Sequence, residues 1–174
     1  RIALIVWGLT IPGLQMVLIR KKYADIKANH VEGPSGFRTI LSPLVDARKV
    51  KITDEGVTFF HRVLDESGNE VSKNSVIDFQ HCQDERQFTS AQGVEKHVLA
   101  FDEATQISER LIRFFRGWCR LSRDTKDELP EEAQSMFPRI IYTANPIGVS
   151  VPFFRRHFVK ARQPFEIEEC EGFK

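Results

Sequence analysis

Two adjacent acidic side chains, Asp102 and Glu103, close the apolar run 97–101 within Val98-Leu-Ala-Phe-Asp-Glu-Ala-Thr-Gln106. A buried strand that delivers a carboxylate pair to its tip suits hydrolysis of a nucleoside triphosphate. One carboxylate can hold Mg²⁺, usually through the water shell this ion retains. Its neighbour, projecting to the other side of the strand, can orient and deprotonate the attacking water. Acidic residues also favour the first turn of a helix, where they meet the positive end of the macrodipole. The pair alone does not separate the two uses. The apolar run before it and the Ala-Thr-Gln after it add weight to the chemical one.

A second candidate is Arg139-Ile-Ile-Tyr-Thr-Ala-Asn-Pro-Ile-Gly148, read as a buried strand over 139–143 followed by a turn that Pro146 and Gly148 enforce. Asn145 can hydrogen-bond a γ-phosphate or the attacking water, although Asn before Pro is also ordinary turn chemistry. His81-Cys82 has no further ligand at the usual metal spacing, which favours a packed pair over a metal centre. Arg110, Arg113, Arg116 and Arg120 lie on a helix predicted over 107–121. They can meet nucleic-acid phosphates or form a solvated face.

These residues need elements to carry them. Residues 2–19 carry no charge, and Arg20, Lys21 and Lys22 follow. On length alone this is a membrane-span candidate, but Pro12-Gly13 punctuates it. It therefore reads as a buried helix over 2–9, a turn, and a buried strand over 15–20. A short helix is expected over 21–29, then a loop, with Ser35 capping a helix over 36–48. Runs at 49–53, 57–63 and 75–79, parted by turn-forming clusters, suggest an antiparallel β insertion over 49–80. Residues 84–93 read as a loop and 123–138 as a flexible connection. The last residues hold a short helix and an acidic tail. Strands alternating with helices predict an α/β fold whose crevice lies at the carboxyl edge of the sheet.

Composition narrows the classes further. The 174 residues are 41% hydrophobic and 28% charged, with a formal net charge of +1, so no overall basicity marks a nucleic-acid partner. Three dispersed cysteines without a CxxC pairing fit free thiols in a reducing compartment.

Taken together in order and spacing, Leu18-Ile-Arg-Lys-Lys-Tyr-Ala-Asp-Ile26, Ala91-Gln-Gly-Val-Glu95, His97-Val-Leu-Ala-Phe-Asp-Glu-Ala-Thr-Gln106, Ile141-Tyr-Thr-Ala-Asn-Pro-Ile-Gly148 and Phe153-Phe-Arg-Arg-His-Phe158 resemble successive motifs of phage terminase large subunits. The resemblance covers nearly the whole chain. It implies a RecA/ASCE-like P-loop NTPase core, a mainly parallel central sheet flanked by helices, with residues 1–174 a partial, N-terminally truncated motor domain. It implies ATP and Mg²⁺ as cofactors, with Asp102 the Walker B residue for magnesium and Glu103 the catalytic carboxylate. Thr143, Ala144 and Asn145 match the motif coupling hydrolysis to DNA movement. Arg20 falls where such motors position nucleotide or place an arginine finger, or ends a strand facing solvent.

The partners implied are double-stranded DNA, the portal protein, the small terminase subunit and other large-subunit copies in a ring. The implied setting is the cytoplasm of a bacterial host, with no membrane. The departure is the Walker A loop: no G-x-x-x-x-G-K-[S/T] occurs, and Gly33-Pro-Ser-Gly36 is followed by Phe-Arg. That loop is expected just before Arg1, and a nuclease domain after the chain. Two other readings are a helicase-like or other P-loop ATPase, and a non-catalytic remnant acting as a binding module. The Asp-Glu-Ala-Thr run resembles a helicase motif, whereas Thr143-Ala-Asn-Pro146 departs from the helicase pattern.

Overall fold

Within strand β1 (Gln15–Arg20) the four residues 16–19 form an unbroken apolar run, which suits a central strand with parallel neighbours and both faces covered. The computed structural model describes residues 1–82 and 95–159. The loop reading at 84–93, Ala91 to Val94 of the quoted motif, Cys170 and the acidic tail lie outside the described residues.

β1 pairs in parallel with β6 (Ser75–His81) and β7 (Val98–Phe101), and β7 pairs in parallel with β8 (Arg139–Tyr142). β2 (Val50–Ile52) and β3 (Gly56–Phe59) complete a six-stranded sheet of order β2-β3-β6-β1-β7-β8, through antiparallel β2–β3 and β3–β6 pairings. The two-residue period sorts the side chains between two cores. Met16, Leu18, Val98 and Ala100 join one, together with Leu4, Phe37 and Leu41. Val17, Ile19, Leu99 and Phe101 join the other, with Leu111, Phe115 and Phe153. The result is a mainly parallel α/β sheet with helices on both faces, as the sequence led us to expect.

Helix α1 (Ile2–Thr10) packs Gly8 against the Phe59 ring; a Cβ there would lie 2.4 Å from a ring carbon. Only Leu4, Ile5 and Gly8 of this helix are buried, whereas Ile2 and Val6 are exposed, so the helix read as buried is one-sided. Among the described residues no helix is long and apolar enough to cross a membrane. Helix α2 (Tyr23–Ile26) runs into a π-helical turn, Lys27–Val31, and α3 (Phe37–Asp46) follows. The N-cap of α3 is Gly36, with no side-chain cap, so the expected capping role of Ser35 is not met. Ser35 instead offers its carbonyl to the Arg1 guanidinium.

The 49–80 span divides in two. β2, β3 and the hairpin of β4 (Arg62–Leu64) with β5 (Glu70–Ser72) are antiparallel, while β6 is an integral strand of the main sheet. The stretch 123–138 is not a loose connection. It forms α5 (Arg123–Asp127) and α6 (Glu131–Gln134), and Leu129, Ala133 and Phe137 are buried in the core. Charged residues between those three apolar positions masked their spacing. β8 is the edge strand, only half-buried, because no further strand covers it among the described residues. Helix α4 (Glu109–Arg116) is capped by Ser108, whose hydroxyl accepts from Leu111 N.

Candidate active site

The carboxyl ends of β1, β7 and β8 lie side by side, so residues far apart in sequence meet there. Asp102 N donates to Ile19 O at 2.9 Å and Thr143 N to Phe101 O at 2.9 Å, extending the ladder one step past β7. The next residue breaks it. Glu103 has φ 50° and ψ 45°, a left-handed conformation that costs a non-glycine residue about 1 kcal/mol. This bend corrects the expectation that Asp102 and Glu103 diverge to opposite sides of a strand. Both carboxylates instead turn to one cation.

That cation is Arg20, the last residue of β1 and only 6% exposed, so it does not end the strand facing solvent. Its Nη1 lies 3.3 Å from Asp102 Oδ2 and donates to Asp25 O at 3.1 Å, and its Nη2 lies 2.8 Å from Glu103 Oε1. Asp102 has two further partners. Thr143 Oγ1 donates to Oδ1 at 2.7 Å, and His30 Nε2 sits 2.7 Å from Oδ2. Burial works against ionisation of Asp102. The hydrogen bonds from His30 and Thr143, with the attraction of His30 and Arg20, outweigh it and hold the carboxyl well below its usual range. The group is an anion at any physiological pH.

Asn145 reaches the same edge, but its side chain is exposed and makes no hydrogen bond among the described residues. Its backbone is fixed: Thr105 Oγ1 donates to Asn145 O at 2.8 Å and to Ile147 O at 3.0 Å. Ser150 Oγ donates to Ala104 O and Thr105 O, each at 3.2 Å. Gly148 has φ 145°, and a Cβ there would meet Thr105 O at 2.2 Å. The loop after β8 is thus stitched to the loop after β7, and only glycine fits the closest approach.

His30 was missed by reading the sequence. A single histidine beyond a short helix carries no local signal; the π-helical turn that faces it inward with Ile26 and Val31 is a tertiary event. The arginines of α4 stand elsewhere. Arg113, Arg116 and Arg120 line a hollow of about 500 Å³ beside β8, and Arg113 Nη2 pairs with Glu109 Oε1 at 2.8 Å. His81-Cys82 is a packed pair: the imidazole meets the Tyr23 ring edge, and burial pushes the Cys82 thiol up to about 12. Among the described residues no group of three or more His, Cys, Asp or Glu is placed to cage a metal. Magnesium needs no such cage; one carboxylate with water and phosphate oxygens suffices, and Asp102 is a carboxylate of that kind.

Fold and site together define an α/β protein with an acid–base cluster at the carboxyl edge of a mainly parallel sheet, where such folds bind ligands. No family model and no curated protein matches the chain. Among solved structures, it is similar to the large terminase ATPase domain of Thermus phage P74-26 (15% identity, TM-score 0.48, covering 93% of this chain and 60% of that one). It is also similar to the large terminase of another thermophilic bacteriophage (12% identity, TM-score 0.45, covering 88% and 40%). The chain therefore spans less than two thirds of the structures it matches.

Proposed function

We propose that the chain is part of the ATP-hydrolysing motor domain of a terminase large subunit, which moves double-stranded viral DNA into a procapsid. The observation that carries this reading is the meeting of Arg20, Asp102, Glu103 and Thr143 at one sheet edge, from three adjacent parallel strands. Asp102 is the residue to hold magnesium, which when bound neutralises charge on the transferring phosphoryl group. Glu103, at 38% side-chain exposure, has solvent access and can accept a proton from an attacking water at its free carboxylate oxygen. Arg20 fixes the spacing of the two acids before any phosphate arrives.

Asn145 stands past the tip of β8, exposed and uncommitted, where it can sense whether a γ-phosphate is present. The reading implies double-stranded DNA, portal protein, small subunit and further large-subunit copies as partners. The phosphate-gripping loop that this chemistry needs is absent from the 174 residues.

The test is Glu103→Gln in the complete motor protein. The amide keeps shape but cannot take up the proton, so turnover falls by about 10²- to 10⁴-fold while ATP affinity stays within about threefold, less than one kcal/mol. An unchanged kcat would remove Glu103 from this role.

A further inference from the structure

Both oxygens of Asp102 are already spoken for, and unequally. A carboxylate offers about four lone-pair sites, two on each oxygen. On Oδ2 one is taken by His30 Nε2 at 2.7 Å, and Arg20 Nη1 crowds the same oxygen as an ion partner at 3.3 Å. On Oδ1 a single site is taken, by Thr143 Oγ1 at 2.7 Å. Oδ1 is therefore the less encumbered oxygen, and it faces β8. From this arrangement we infer that His30 is a positioning residue: it holds Oδ2 against Arg20 so that Oδ1, beside Thr143, is the oxygen that receives a water bound to magnesium. The inference rests on the reading of Asp102 as the magnesium-holding residue.

Three features support an orienting role over incidental packing. His30 is 8% exposed, so its bond to Asp102 forms away from competing water. Its Nδ1 is buried without a partner. The ring is therefore tied to the protein through Nε2, which donates to the Asp102 carboxylate, a group that when ionised can only accept. Finally, His30 is carried by the π-helical turn Lys27–Val31, whose extra residue turns Ile26, His30 and Val31 inward together. Such turns interrupt regular helices frequently at functional positions.

Without His30, Arg20 is free to engage both oxygens of Asp102 in the fork geometry guanidinium prefers, and the open acceptor site on Oδ1 is lost. The experiment measures binding of Mn²⁺–ATP to the complete motor protein, by the electron paramagnetic resonance signal of the protein-bound ion, for wild type, Asp102→Asn, His30→Ala and His30→Gln. The glutamine amide N–H can stand in for Nε2–H. We expect Asp102→Asn and His30→Ala each to weaken Mn²⁺ by about 10- to 100-fold, as loss of an orienting partner does, and His30→Gln to restore it to within about threefold of wild type.

Binding that depends on Asp102 but is indifferent to His30→Ala would overturn the inference and leave the motor reading standing. Binding that ignores Asp102→Asn, or is absent from wild type, would overturn both. His30→Gln as weak as His30→Ala, with unchanged far-UV circular dichroism, would assign His30 to packing and also overturn the inference. A second readout needs no metal. In the ¹⁵N spectrum of the metal-free chain His30 should show a protonated Nε2 that Asp102→Asn shifts; a bare Nε2 excludes the donor role.

Discussion

The molecule buries two histidines at opposite ends of one sheet, and they are used differently. His97 stands at the amino end, just before β7. Its Nδ1 accepts from Gln15 N at 3.0 Å and its Nε2 donates to Thr125 O at 3.2 Å, so both ring nitrogens are spent on backbone. Its own backbone extends the ladder toward both neighbours, donating to Gln15 O and accepting from Arg139 N. His30 stands at the carboxyl end with one nitrogen on a charged side chain and the other unpartnered. The first arrangement closes the fold and leaves nothing to do chemistry. The second leaves charge assembled but unsaturated, as a ligand-binding edge requires. Burial of a polar group alone does not mark a site; what its partners are does.

This contrast predicts where substitutions hurt. The largest loss of stability should come from Arg20→Met, which strands Asp102 and Glu103 side by side without their cation. We expect about 3 kcal/mol in urea denaturation, the low end for breaking a buried ion pair because both acids keep some solvent access. A loss below about 0.5 kcal/mol, the level of an ordinary surface change, would show that the carboxyl-edge cluster is not held by Arg20.

His97→Ala should cost about 2 kcal/mol, from the Gln15 N–H and Thr125 C=O left unpaired and the space left empty. It also sharpens the contrast through pH. Burial pushes the His97 pKa down from 6.5, so the folded chain binds fewer protons there than the unfolded one. That contribution to stability is whole above about 6.5 and declines as pH falls through it until the folded pKa is passed. The urea midpoint of wild type should therefore drop more between pH 7.5 and 5.5 than that of His97→Asn; equal drops would mean His97 does not titrate against folding.

Asn145→Ala should have the smallest effect on stability, under about 0.5 kcal/mol for an exposed residue, yet abolish DNA-stimulated ATPase in the complete motor. ATPase that remained DNA-stimulated would end its coupling role.

Much of the scaffold was legible in the chain because the forces that set it are local. The unbroken apolar run of β1, the carboxylate pair after β7 and the Asn-Pro turn after β8 each announce a strand and its end within a few residues. The amphipathic turns within 123–138 were lost because Leu129, Ala133 and Phe137 are spaced among charges that suggest solvent. β8 read as buried because its composition is apolar, whereas its place at the sheet edge depends on which strands pair.

The sequence by itself determined the alternating α/β order and the identity of the acids, since hydrophobic period and residue type are written position by position. Only the tertiary structure decided that Arg20 meets both acids, that Glu103 bends back rather than away, and that His30 meets one oxygen of Asp102. Those contacts join residues 20, 30, 102 and 143 across several elements. Electrostatic partnership of that kind is settled by distance in space, on which neighbouring letters in a chain carry no information.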